Sequence, residues 1–65
     1  MERDDFRKLC TKWVRHVRAG DEYQAYRDVE MRIISNCDSF GLDSDEVFAN
    51  LHSFANSGEP IEEVF

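Results

Sequence analysis

Residues 37–48 read Cys37-Asp38-Ser39-Phe40-Gly41-Leu42-Asp43-Ser44-Asp45-Glu46-Val47-Phe48. Two signals stand back to back in this stretch. Gly41 is the residue type that lets a helix end in the left-handed conformation, with Leu42 packing back on Cys37 in a Schellman turn. Asp43 is a helix N-cap, Glu46 sits three residues later as in a capping box, and Leu42 and Val47 flank them as a hydrophobic staple. A stop and a start separated by two or three residues specify a tight helix–helix corner.

The pattern continues outward on both sides. Upstream, Tyr26, Val29, Ile33, Cys37 and Phe40 recur at helical spacing, flanked by Tyr23 and Ile34. Asp21 reads as the N-cap of that helix, with Gln24 completing a capping-box-like pair. Further upstream, Phe6, Leu9, Cys10, Trp13, Val14 and Val17 form another apolar face, within an arc of about 140° at ~100° per residue. Asp4 and Asp5 suit the positive end of its dipole, Arg15 and Arg18 suit the negative end, and Gly20 caps it. Downstream, Val47, Phe48, Leu51, Phe54 and Ala55 line a third helix, which Asn56-Ser57-Gly58 terminates. Pro60 fits the first position of a short final turn carrying Ile61, Val64 and Phe65 on one side. No segment alternates with period two. The expected fold is all-α: one compact three-helix domain over residues 1–65, with helices at about 5–19, 22–40 and 44–57 and a C-terminal helical turn at about 60–65.

Size bounds what such a domain can do. At 65 residues the core rarely supplies more than ~3–5 kcal/mol of net stability. Each unpaired buried polar group would cost ~1–3 kcal/mol, so a buried polar active site is hard to accommodate. An apolar content of 42% places the chain among globular domains and not disordered ones. No run of ~18 apolar residues is present to span a membrane. Met1-Glu2-Arg3-Asp4-Asp5 leads into a charged helix, from which a cytoplasmic location is expected. Cys10 and Cys37 both fall on apolar faces and read as buried reduced thiols, with a disulfide between adjacent helices as the alternative.

Charge is unevenly placed. Residues 1–20 hold six bases and three acids, while residues 21–65 hold two bases and eleven acids, for a net charge of -6. From Ile33 onward there are seven acids and no Lys or Arg. Two readings account for the split. In one, the basic first helix lies beside the acidic helices and its charges are partly matched by theirs, through exposed pairs worth ~0–1 kcal/mol each. In the other, the acidic half meets a positively charged partner, since a one-signed field raises association rates and selects partners by charge.

Cys37, Phe40, Gly41, Leu42 and Val47 resemble the helix-turn-helix DNA-binding pattern: a small residue four before the turn glycine, apolar residues on either side of it, and an aliphatic residue early in the second helix. The resemblance covers about twenty residues. It implies a helical corner and, in the family, a second helix that enters the major groove. Here that helix opens Asp43-Ser44-Asp45-Glu46, three acids facing a polyphosphate where a reader needs Arg, Lys, Asn or Gln. The corner therefore carries over and the DNA reading does not.

The remaining candidates are few. Arg7, Lys8, Lys12, Arg15 and Arg18 put five cations on one side of the first helix, enough to contact a nucleic-acid backbone. Glu30 sits at the edge of the second apolar face, where Arg27 or a base from the first helix is its expected partner. His16 and His52 stand outside any zinc spacing with the cysteines. Asp38 to Glu46 lacks calcium-loop spacing, and no phosphate-binding loop or nucleophile motif is visible. No cofactor or metal is expected. Tyr23, Phe48 and Phe65 lie at arc edges or the terminus and are candidate aromatic anchors. The last residues, Glu62-Glu63-Val64-Phe65, look like a short linear motif, with packing of Val64 and Phe65 on the third helix as the competing reading.

These readings favour a non-enzymatic interaction module, an adaptor or inhibitor. Asp38, Asp43, Asp45, Glu46, Glu59, Glu62 and Glu63 would dock on a basic partner protein. Carboxylates spaced along helices suit a nucleic-acid mimic, and phage-encoded inhibitors such as anti-CRISPR proteins look similar in size and charge. The other function class is a small transcription-type regulator that binds nucleic-acid backbone through the first helix. Exposed aromatics and a small core favour a homodimer.

Overall fold

The computed structural model describes residues 2–60. Three helices follow one another: α1 (Arg3–Ala19), α2 (Tyr23–Ser39) and α3 (Ser44–Ser57). Among the described residues there is no strand. The all-α three-helix architecture is as the sequence predicts. The expected C-terminal turn at 60–65, with Phe65, Glu62 and Glu63, lies outside the described residues.

The helix ends follow local chemistry, with two differences from the sequence reading. α1 begins at Arg3, two residues early, with Asp4 and Asp5 in its first turn and Glu2 as an N-cap that makes no side-chain bond. It ends at Gly20, φ 74°, where the Gly20 and Asp21 amides donate to the carbonyls of Val17 and His16. α2 is not capped by Asp21. Glu22 holds the N-cap position, again without a side-chain bond, because the Asp21 carboxylate turns back across the connection to His16 Nδ1 at 2.8 Å.

The decisive corner forms as a Schellman turn. Gly41 has φ 67°, its amide donates to the Asp38 carbonyl, and the Leu42 amide donates to Cys37 at 2.9 Å. Asp43 then caps α3, its Oδ1 accepting from the Asp45 amide at 3.0 Å. The Leu42 side chain stays 43% exposed, so the turn's backbone bonds form while its side-chain packing is partial.

Nine apolar residues make up the core: Phe6, Cys10, Trp13 and Val14 from α1, Val29, Ile33 and Cys37 from α2, and Leu51 and Phe54 from α3. α1 supplies the most and packs against both other helices. Trp13 sits at the junction of all three. Its ring meets Tyr26 of α2 edge-on at 6.1 Å, and Phe48 and His52 of α3 at 5.5 and 4.8 Å. Its indole N–H is buried without a hydrogen-bond partner. Both cysteines are free thiols in the core, and burial pushes Cys10 up to about 11.

Arg18 ties the ends of α1 and α3 together. Its guanidinium lies 5.0 Å over the Phe54 ring and donates to the Phe54 carbonyl at 2.9 Å and to Ala55 at 3.3 Å. α3 has no basic residue in its own last turn. Arg18 provides the cation that the exposed carbonyl end of a helix favours.

Candidate docking surface

The acidic residues divide into two places. Asp38 is in the last turn of α2, Asp43 caps α3, and Asp45 and Glu46 occupy the first turn of α3. All four are exposed. The buried Cys37 thiol is pushed up, first by burial and then by the carboxylates of Asp38 and Asp43, so both of these acids lie around the same corner. The acids of the first turn are held where the α3 dipole favours negative charge. Glu59 is elsewhere. It follows the far end of α3, whose 14 residues extend about 20 Å. The acids from Asp38 to Glu59 therefore form a corner cluster and a distant member, and not the single surface that the sequence suggested.

These carboxylates carry no internal counter-charge among the described residues. Arg7 pairs with Asp4, 3.9 Å apart within α1, and Asp21 is hydrogen-bonded to His16, a pair that is ionic only with the imidazole protonated. No Lys or Arg of α1 reaches an acid of α2 or α3. The reading in which α1 is partly matched to the acidic half finds no ion pair among the described residues. Its basic side chains are directed elsewhere: Arg18 to the end of α3, Arg7 to Asp4, with Lys8, Lys12 and Arg15 exposed. Of the five cations that could contact a nucleic-acid backbone, Arg18 is thus already committed to protein.

The aromatic candidates also separate. Tyr23 is 48% exposed. Phe48 is half-buried against Trp13, which makes it core lining and not a free anchor. Phe65 lies outside the described residues. Tyr23 carries the contact that sequence reasoning missed: its hydroxyl donates to Glu30 at 2.6 Å. Glu30 thereby finds a phenol, not Arg27 or a base of α1. The carboxylate acceptor holds the proton on Tyr23 and raises its pKa above the ordinary 10.0. The signal was available, because a spacing of seven residues stacks two side chains on one face two turns apart.

Next to the corner an open groove of about 540 Å³ runs between the start of α1 and α3, with Phe6, Phe40, Leu42 and Val47 among its apolar walls and Arg3 and Arg7 beside them. Among the described residues no group of three His, Cys, Asp or Glu is arranged to hold a metal ion. No described helix is long and apolar enough to cross a membrane. Compared with protein-family models, curated proteins and solved structures, the chain matches none.

Proposed function

We propose that this chain is a non-enzymatic protein–protein interaction module, an adaptor or inhibitor whose acidic corner docks on a basic partner protein. Asp38, Asp43, Asp45 and Glu46 form the docking surface, with Glu59, Glu62 and Glu63 extending the negative field. One observation carries the reading: the corner carboxylates are exposed, and no cation of the chain pairs with them among the described residues. A cluster of this kind repels itself and gains most from an external positive surface. The form of inhibitor that best fits is a nucleic-acid mimic, of the kind phage-encoded anti-CRISPR proteins represent, in which carboxylates take the place of phosphates in a basic groove.

The test is a salt titration of binding to an immobilised nucleic-acid-binding protein with a basic groove, with duplex DNA as competitor. Affinity is expected to fall at least tenfold from low to physiological salt, as the Debye length shrinks from about 30 to 8 Å. It is expected to fall again when Asp45 and Glu46 become lysines. Salt-insensitive binding, or binding that duplex DNA does not displace, would exclude the mimic. A gel shift of duplex DNA by the chain itself at low salt would favour the basic face of α1 instead.

A further inference from the structure

The described chain leaves four large apolar side chains exposed: Tyr23 (48%), Met31 (52%), Ile34 (39%) and Leu42 (43%). Three lie on α2 and the fourth just beyond it. At ~100° per residue, Tyr23, Arg27, Met31, Ile34 and Asp38 fall within an arc of about 80°. That arc flanks the buried face of α2, whereas the rest of its outer surface is Gln24, Ala25, Asp28, Arg32, Ser35 and Ser39. α2 thus has a second stripe, mostly apolar, that no other described helix covers. Arg27 and Asp38 stand on it, exposed and without an ion pair.

The order of residues along the stripe is self-complementary about its midpoint. Met31 and Ile34 are equidistant from a point between Arg32 and Ile33, and so are Arg27 and Asp38. A two-fold axis through that point lays two copies of α2 antiparallel and brings each residue opposite its mirrored counterpart in the partner copy. Met31 then faces the partner copy's Ile34, twice, at the centre. Arg27 faces the partner copy's Asp38 on either side, with Tyr23 beyond it toward each end.

We infer that the α2 stripe is a self-complementary surface on which a second copy of this chain docks antiparallel. The stripe itself is neutral, with one Arg and one Asp, although the whole chain carries -6. It is the face on which two acidic copies meet without like-charge opposition. One stripe of a 17-residue helix buries less than the ~1,600 Å² of a standard interface, which sets a weak dimer, formed at micromolar concentration. The inference does not depend on the docking reading. Asp38 stands where the two surfaces adjoin, and Asp43, Asp45 and Glu46 stay free for the basic partner when Asp38 pairs with Arg27 of a second copy.

Sedimentation equilibrium from about 10 to 500 µM protein in ~0.15 M salt reads the assembly directly, with long-range repulsion damped to a Debye length of ~8 Å. The wild-type chain is expected to pass from monomer to dimer across this range. Arg27→Asp places Asp against Asp at both ends and is expected to weaken association at least tenfold; Met31→Glu does the same through the apolar centre. Arg32→Asp makes the same charge change on the opposite side of α2 and is expected to dimerise like the wild type. The exchange Arg27→Asp with Asp38→Arg is expected to restore the dimer. Circular dichroism confirms that each variant retains its helices. A monomer throughout, equal weakening by Arg32→Asp and Arg27→Asp, or a charge exchange that fails to restore the dimer would each overturn the inference.

Discussion

Replacing Arg18 with alanine tests the packing of the whole domain. The guanidinium contributes three contacts: a charge-assisted bond to the Phe54 carbonyl at 2.9 Å, a longer one to Ala55 at 3.3 Å, and a position 5.0 Å over the Phe54 ring. A hydrogen bond from a charged group contributes roughly 1.5–3 kcal/mol. The low end applies, because the Ser57 hydroxyl also donates to the Phe54 carbonyl at 2.8 Å and keeps that acceptor satisfied after truncation. A solvent-exposed cation over an aromatic ring, as Arg18 is over Phe54, adds ~0.5–1 kcal/mol. The loss should be about 2 kcal/mol, a large share of the ~3–5 kcal/mol that a core of this size supplies. At ~4–8 °C per kcal/mol for a small domain, the melting temperature should fall by about 10 °C. Thermal and urea unfolding followed by far-ultraviolet circular dichroism measure it. Arg15 is the control: it is exposed on the same helix, and Arg15→Ala should stay within ~0.5 kcal/mol of wild type. Arg18→Lys keeps the charge and loses the planar fork, so it should fall between the two. If Arg18→Ala and Arg15→Ala melt together, the guanidinium bridge between α1 and α3 does not stabilise the fold.

Two further perturbations address other links. At Gly41, φ is 67° and an added Cβ would meet nothing within 4 Å, so Gly41→Ala should cost only the left-handed backbone penalty of about 1–2 kcal/mol; Gly41→Asn should cost less, and equal losses in urea unfolding would count against a conformational cause. Burial raises the Cys10 thiol from 9.0 to about 11, so the folded state keeps its proton longer than the unfolded chain. The resulting stability is complete below pH 9 and is lost as pH rises toward 11, on the order of 2 kcal/mol. Urea midpoints between about pH 8 and 10.5 should therefore fall less steeply in Cys10→Ala than in wild type, and parallel slopes would show that the thiol is not the titrating group.

The corner at Gly41 and Asp43 was legible because every signal there is local. A glycine stop and an aspartate start act through bonds to residues within five positions, and the amides of Leu42 and Asp45 make those bonds. The apolar faces were legible for the same reason, since helical period alone selects which side is buried. Asp21 shows where local reading fails. As a cap residue it competes with another acceptor site, and the imidazole of His16 across the turn captured its carboxylate. Arg18 fails by distance: its partners are 36 and 37 positions away, and only the placement of α1 beside α3 brings them together. The acidic candidates were grouped by the absence of nearby bases in the chain, a one-dimensional criterion. It could not register that the length of α3 separates Glu59 from the corner.

The junction at Trp13 gives the protein a built-in reporter. The chain has a single tryptophan, and its neighbours arrive from both other helices, Tyr26 from one and Phe48 and His52 from the other. Displacing either α2 or α3 from α1 strips one wall from the indole and admits water, so its emission should shift to the red. Fluorescence from this one ring therefore follows the joining of all three helices at once, whereas circular dichroism sees only whether each is coiled.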